Sequence, residues 1–162
     1  MEKRHTVRKY LDKPLDMDLI GLLNDRIERN NCVYNLTFKL ITNNSDGLSS
    51  LARLMSNNSV QNYIILAGKD NSDLDKKIGY CGADLILYAQ SLGLNTWWCG
   101  GMFNGKNALK HLDNKAVRVN GVIAIGYGKT QGVPHKSKTA DQVSHFKGDA
   151  PGWFKSGIKL YF

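Results

Sequence analysis

The stretch LDKKIGYCGADLILYAQSLGL, residues 74–94, constrains the fold more than any other part of this chain. Ile78, Cys81, Leu85, Ala89 and Leu92 recur along one helical row, and Ile86, Leu87 and Tyr88 leave little polar surface elsewhere. A helix that is apolar nearly all round belongs in a core or an oligomer interface, because water penalises that surface when it stays open. The sequence therefore predicts a buried central helix and a homodimer. Gly79 and Gly82 each cost that helix about 1 kcal/mol against alanine, and their three-residue spacing points either to close approach by another backbone or to simple tolerance of glycine. Gly93 supplies the C-terminal stop.

The segments on either side supply what this helix packs against. PLDMDLIGLLNDRIERN, residues 14–30, reads as an amphipathic helix with Asp16 as N-cap and Leu19, Ile20, Leu22, Leu23 and Ile27 at helical spacing. TFKLIT (37–42) and NYIILAGK (62–69) read as strands, with LSSLARLMS (48–56) a short helix between them. NTWWCGGMF (95–103) is a strand running into a glycine pair, and a polar helix is expected around 107–112. NGVIAIGYG (120–128) is the clearest buried strand. The tail from Thr130 is loop-rich and closes on a short helix from Trp153, with Trp153 and Phe154 expected to be buried against the central helix or a dimer partner. Strands and helices do not alternate regularly. The expected class is α+β, a mixed, largely antiparallel sheet flanked by helices, in one domain spanning residues 1–162.

Charge and cysteine content narrow the function. The net charge of +8 attracts polyanions, but the basic residues are interleaved with acidic ones, as in DNSDLDKK, and form no long run. A general nucleic-acid-binding module is thereby less favoured than a small phosphate-bearing ligand. Cys32, Cys81 and Cys99 are odd in number and widely spaced, which argues against a disulfide scaffold or a cysteine-rich metal site. No run reaches the roughly 18 apolar residues of a membrane span. The N-terminal MEKRHTVRKY is not followed by an apolar run, so the expected location is the cytoplasm.

No HExxH, GxSxG, GxGxxG or Walker-type GxxxxGK[ST] pattern occurs, and no catalytic nucleophile declares itself. An enzyme of this composition leaves the hard chemistry to a bound cofactor. What the chain does carry is anion chemistry at both ends. Arg4, His5 and Arg8 sit in KRHTVRKY, and Lys136 and Lys138 flank Ser137 in GYGKTQGVPHKSK, a glycine-rich loop behind the last strand. Charged donors of this kind each gain about 1.5–3 kcal/mol on a phosphate. The two ends are expected to meet around one anion.

The order RHTVRKYLDKPLD, helix, IGYCGADLILYAQSLGLNTWWCGGMF, then NGVIAIGYGKTQGVPHKSK resembles the FMN-dependent nitroreductase family, its small subgroup in particular, from Arg4 to about Ile158. That resemblance implies that Arg4, His5 and Arg8 hold the FMN phosphate and the polar edge of its ring system. His5 replaces the family's second arginine, and Thr6 takes the place of its serine. It implies that Trp98 belongs to the strand behind the flavin, that the backbone of Gly100 and Gly101 comes near the flavin ring, and that Lys136, Ser137 and Lys138 return to the phosphate. Trp97, Met102 and Phe103 are further candidates for the pocket wall.

The implied activity is that of an NAD(P)H-dependent oxidoreductase. A reduced nicotinamide passes hydride to the flavin, and a nitro- or quinone-like small molecule then takes the electrons in a ping-pong cycle. The implied assembly is a homodimer with the flavin at its two-fold interface. The alternative is an FMN- or nucleotide-binding protein without turnover. In the resembling subgroup WFKxGI leads into a further helix and an Asn-Gln segment beside the flavin. Here WFKSGI is followed only by KLYF, so a flavin pocket with one open side is expected.

Overall fold

The computed structural model describes residues 4–133 and 138–161. Its elements run α1 (Met17–Tyr34), β1 (Lys39–Ile41), α2 (Ser50–Met55), β2 (Tyr63–Gly68), α3 (Leu74–Ser91), β3 (Asn95–Cys99), α4 (Gly105–Lys110), β4 (Arg118–Gly126), α5 (Ala140–Val143) and α6 (Gly152–Tyr161). The four strands form one sheet in the order β1-β2-β4-β3, antiparallel at every pairing. The parallel character expected of a mixed sheet enters at one place among the described residues, a bridge from Thr6 to Thr96 on β3.

Each strand divides its side chains between two cores, because successive residues point to opposite faces. Ile64 and Leu66 of β2 and Ile123 and Ile125 of β4 face one way, and meet Leu23 and Ile27 of α1 and Ile78, Cys81, Leu85 and Ala89 of α3. Tyr63, Ile65, Val122 and Ala124 face the other way, and meet Leu48, Ala52 of α2, Ala108 of α4 and Leu112. Both faces of β2 and β4 are thus covered, which is why YIILAG and GVIAIG read as unbroken apolar runs. The predicted central helix is α3, and its stop is where expected, with Gly93 at φ +79°.

The glycine spacing in α3 has a different cause from the one expected. A methyl group at Gly82 would overlap the indole of Trp98, so the notch accepts a side chain from β3 and not a backbone. Gly79 has open space around it and serves no such contact. Helix α1 runs one turn past residue 30 and ends where Asn35 adopts the left-handed conformation at φ 55°. It is tied to α3 by a two-point ion pair, Arg26 Nε to Asp84 Oδ2 at 2.8 Å and Arg26 Nη2 to Asp84 Oδ1 at 2.5 Å. Asn30 adds a third donor at 3.1 Å. The Arg26 hydrogen bonds hold the Asp84 carboxyl below the usual carboxylate range.

The expected burial of Trp153 against the central helix does not occur in this chain. Trp153 is 75% exposed, and the neighbouring Phe154 sets its ring against Phe146 at 5.1 Å. Helix α6 follows Pro151, which suits a first-turn position, yet Trp153 and Phe154 join neither core.

Candidate functional site

The basic N-terminal segment lies along the free edge of β3. Val7 N–H donates to Thr96 O at 3.1 Å, Leu11 N–H to Tyr127 O at 2.7 Å, and Lys129 N–H returns to Lys9 O at 2.9 Å. Two buried side chains pin the segment there: Val7 is 3% exposed and Tyr10 is 2% exposed. The Tyr10 hydroxyl donates to Val7 O at 2.7 Å and also lies 3.2 Å from Ala124 O. Burial raises the Tyr10 phenol well above its ordinary value, so it stays a neutral donor. Gly126 leaves room for the Tyr10 ring, which its own Cβ would approach to 3.1 Å.

Anchored in this way, the segment leaves Thr6, Arg8 and Lys9 exposed around the buried Val7, with Arg4 half-buried. Arg4 Nη2 reaches Thr6 Oγ1 at 3.4 Å, and the exposed Arg8 guanidinium lies 5.4 Å from the centre of the Trp97 ring. The Arg4 Nε is buried and has no hydrogen-bond partner. Such a donor carries a desolvation cost until an acceptor reaches it. The His5 Cβ packs against Gly132, where a side chain would come within 2.5 Å and where the backbone is at φ +81°.

The loop behind β4 therefore returns to the N-terminal segment at least as far as Gly132. Its return is fixed by Asn95, whose Oδ1 accepts the Gly128 N–H at 3.0 Å and whose amide donates to Gln131 at 3.1 Å. Lys138 is exposed, whereas Lys136 and Ser137 lie outside the described residues. Within the described residues the two ends of the chain touch where His5 and the Thr6 carbonyl lie against Gly132.

At the far end of β3, Gly100 and Gly101 are exposed. Neither has a positive φ, and a side chain at Gly101 would meet nothing within 4 Å. The chain's own packing does not demand glycine there. Trp97 and Trp98 point to opposite faces, as neighbours on a strand must. Trp97 is buried in the core with α2 and α4, while Trp98 leans on α3 with its indole Nε1 close beneath Gly100. Cys99 is buried, and desolvation pushes its thiol up to about 12, so it offers no thiolate at neutral pH. Among the described residues no cluster of histidine, cysteine or carboxylate side chains is placed to hold a metal, and no helix is long and apolar enough to cross a membrane.

One cluster beside this turn has no signal in the sequence. The Asp46 carboxylate accepts the Tyr63 hydroxyl at 2.6 Å and lies 2.9 Å and 3.0 Å from His111 Nε2. Burial pushes the Asp46 carboxyl up, and the hydrogen bonds from Tyr63 and His111 outweigh it and leave the group below the usual range. The three residues come from a loop, a central strand and the end of α4, far apart in the chain, so no local pattern joins them.

Residues 1–161 match the family model described as "Putative TM nitroreductase". The chain belongs to this nitroreductase family. The fold is shared with solved structures at low sequence identity. One is an oxidoreductase containing FMN, 16% identical, with a TM-score of 0.68 over 93% of this chain and 91% of that one. An FMN-dependent nitroreductase from Clostridium difficile R20291 is 16% identical, with a TM-score of 0.67 over 91% and 97%. A Desulfovibrio desulfuricans nitroreductase-type protein solved in complex with FMN is 14% identical, with a TM-score of 0.63 over 91% and 94%. No curated protein matches the chain.

Proposed function

We propose that this nitroreductase-family chain is an FMN-dependent oxidoreductase that takes electrons from NAD(P)H and delivers them to a nitro- or quinone-like small molecule, working as a homodimer. The observation that carries the reading is the buried, unpartnered Arg4 Nε in a row of cations at the edge of β3, where the loop behind β4 comes back. A phosphate oxygen is the acceptor that such a donor lacks, and Arg8 and Thr6 add a charge and a hydroxyl on the same side. Lys136, Ser137 and Lys138 follow directly in the returning loop and complete the set from the sequence. FMN-containing structures of the same fold support the same ligand.

The residues present fit this group. Arg4, Thr6 and Arg8 would hold the phosphate end, with His5 and Gly132 bringing the loop against the segment. Gly100 and Gly101, bare of side chains at the other end of β3, would leave their backbone open to the ring system. Bound FMN supplies the redox chemistry, accepting hydride from a reduced nicotinamide and releasing electrons to the acceptor. The chain's own side chains then bind and orient, which agrees with thiols at Cys81 and Cys99 that burial pushes up to about 11 and about 12. The dimer is supported by apolar side chains that one chain leaves open, among them Tyr80 at 65%, Leu54 at 69% and Trp153 at 75%.

The test is a titration of the purified protein with FMN and with riboflavin, followed by NADH and NADPH oxidation with a nitroaromatic acceptor. Arg8→Ala is expected to weaken FMN about ten- to a hundredfold, the loss of one charged hydrogen bond, and to leave riboflavin unchanged. Equal FMN affinity in both proteins would return these cations to ordinary solvated surface charge. A flavin-loaded protein that oxidises neither nicotinamide would make it a binding protein without turnover.

A further inference from the structure

We infer that Asp46, gripped by His111 and Tyr63, is the positioning residue for the Gly100–Phe103 turn. The inference rests on the reading that this turn faces the flavin ring. The loop of residues 43–49 and the turn form a small antiparallel clip. Asn104 N–H donates to Gly47 O at 2.7 Å, Ser49 N–H donates to Met102 O at 3.2 Å, and Leu48 bridges Phe103. Within the turn Gly100 and Gly101 have no side chains to hold it, while Met102 and Phe103 pack against the core cluster of Trp97 and Val122. The clip adds a directional polar tie through Asp46.

Its carboxylate is held from two sides, by the Tyr63 hydroxyl at 2.6 Å and by His111 Nε2 at 2.9 Å. Tyr63 is fully buried on β2, a central strand, and His111 closes α4. The main chain of Asp46 is held as well. Its carbonyl accepts Asn107 Nδ2 at 3.3 Å, and its N–H donates to Asn44 Oδ1 at 2.7 Å. The next residue, Gly47, has no alternative, since any side chain there would run into the Tyr63 ring. Asn107 is itself engaged, its Oδ1 accepting Lys110 Nζ at 3.1 Å. The position of the turn is thus referred through one carboxylate to the rigid middle of the sheet.

A positioning role differs from plain support in what rescues it. His111→Gln keeps an N–H donor for Asp46, and His111→Leu keeps bulk without one. In the flavin-free protein, amide exchange at Ser49 and Asn104 should rise several-fold in His111→Leu and stay near wild type in His111→Gln. With riboflavin, which lacks the phosphate, His111→Leu should bind between about three- and tenfold more weakly and change the visible circular dichroism of the bound ring, while His111→Gln restores both. Wild-type exchange in His111→Leu, or equal losses in both variants, would overturn the inference. A wild-type protein that binds no flavin would sink the proposed function, and the exchange measurement would still decide whether the clip exists.

Discussion

The two faces of the sheet are held by different physics. On one face, the long helices α1 and α3 lay apolar rows onto Ile64, Leu66, Ile123 and Ile125. On the other, the short helices α2 and α4 have six residues each, too few to be stable alone, and polar contacts from distant parts of the chain fix the loops between them. Asp46 with His111 and Tyr63 is one such contact. A local contact adds to it, Lys115 donating to the carbonyls of Leu109 and Lys110 at 2.9 Å and so capping the end of α4. The first face supplies rigidity, and the second carries the turn at which the proposed chemistry takes place. A fold that splits the two tasks can vary the second face without losing its core.

Truncating one leucine on each face puts that contrast at risk. Leu85 on α3 and Leu112 behind α4 are each 1% exposed. Leu85→Ala should cost about 2–5 kcal/mol, towards the upper end because helices on both sides resist collapse around the cavity. Leu112→Ala should fall at the lower end of the same range, since loops beside it relax more easily. Equal costs by urea denaturation would mean that the loop-built face is as rigid as the helical one.

Next in size is the notch where α3 receives Trp98. Gly82→Ala puts a methyl group into the indole and should cost about 1–3 kcal/mol. Trp98→Phe leaves a smaller ring and should recover much of that loss when combined with Gly82→Ala. The two effects should then be non-additive, as expected of residues in contact. Additive losses in a double-mutant cycle would show that the notch and the ring do not meet.

Each face also carries a partly buried carboxylate held below its ordinary range, Asp84 beside Arg26 and Asp46 between Tyr63 and His111. A group depressed in the folded state adds stability above its unfolded value, and that contribution is lost as pH falls through the lower folded value. Stability should therefore decline as pH drops below about 4. The side chains of Asp84 and Asp46 are 24% and 35% exposed, so solvent screening limits each contribution to about 1 kcal/mol. Asp84→Asn and Asp46→Asn should each flatten the acid limb in thermal melts from pH 7 to pH 3. An acid limb unchanged in both variants would place the titrating groups elsewhere.

The same contrast explains what could be read from the sequence. The row Ile78, Cys81, Leu85, Ala89 is legible because helical periodicity is local, and all four residues are buried where that row puts them. The strands of β2 and β4 are legible because both of their faces are apolar. The N-terminal cations were recognisable by order and type, and the segment does meet the glycine loop at Gly132. What stayed hidden was set by tertiary partners. Gly82 gave no hint that a tryptophan from β3 would fill its notch. Asp46 and His111 are 65 residues apart, and each reads alone as an ordinary surface residue. The contact of the His5 Cβ with Gly132 likewise joins residues far apart in the chain.

The smallest expected effect on the single chain belongs to Trp153, which lies on neither face. Its 75% exposure means that Trp153→Ser should change unfolding free energy by no more than about 0.5 kcal/mol in a monomer. Its ring meets Phe154 at 5.9 Å, edge to face, and Phe154 leans on Phe146. An aromatic group of this size left in water is costly unless a second surface covers it. In the proposed homodimer a partner chain is that surface. Sedimentation at micromolar concentration should then give twice the 18.1 kDa chain mass for the wild type. Trp153→Ser should shift the balance towards the monomer without altering the monomer's melting. A wild type that sediments as a single chain would leave α6 as a surface helix with no partner, and would remove the dimer from the proposed function. A dimer indifferent to Trp153→Ser would instead move the interface to the open side of α3, around Tyr80 and Leu87, which are 65% and 38% exposed.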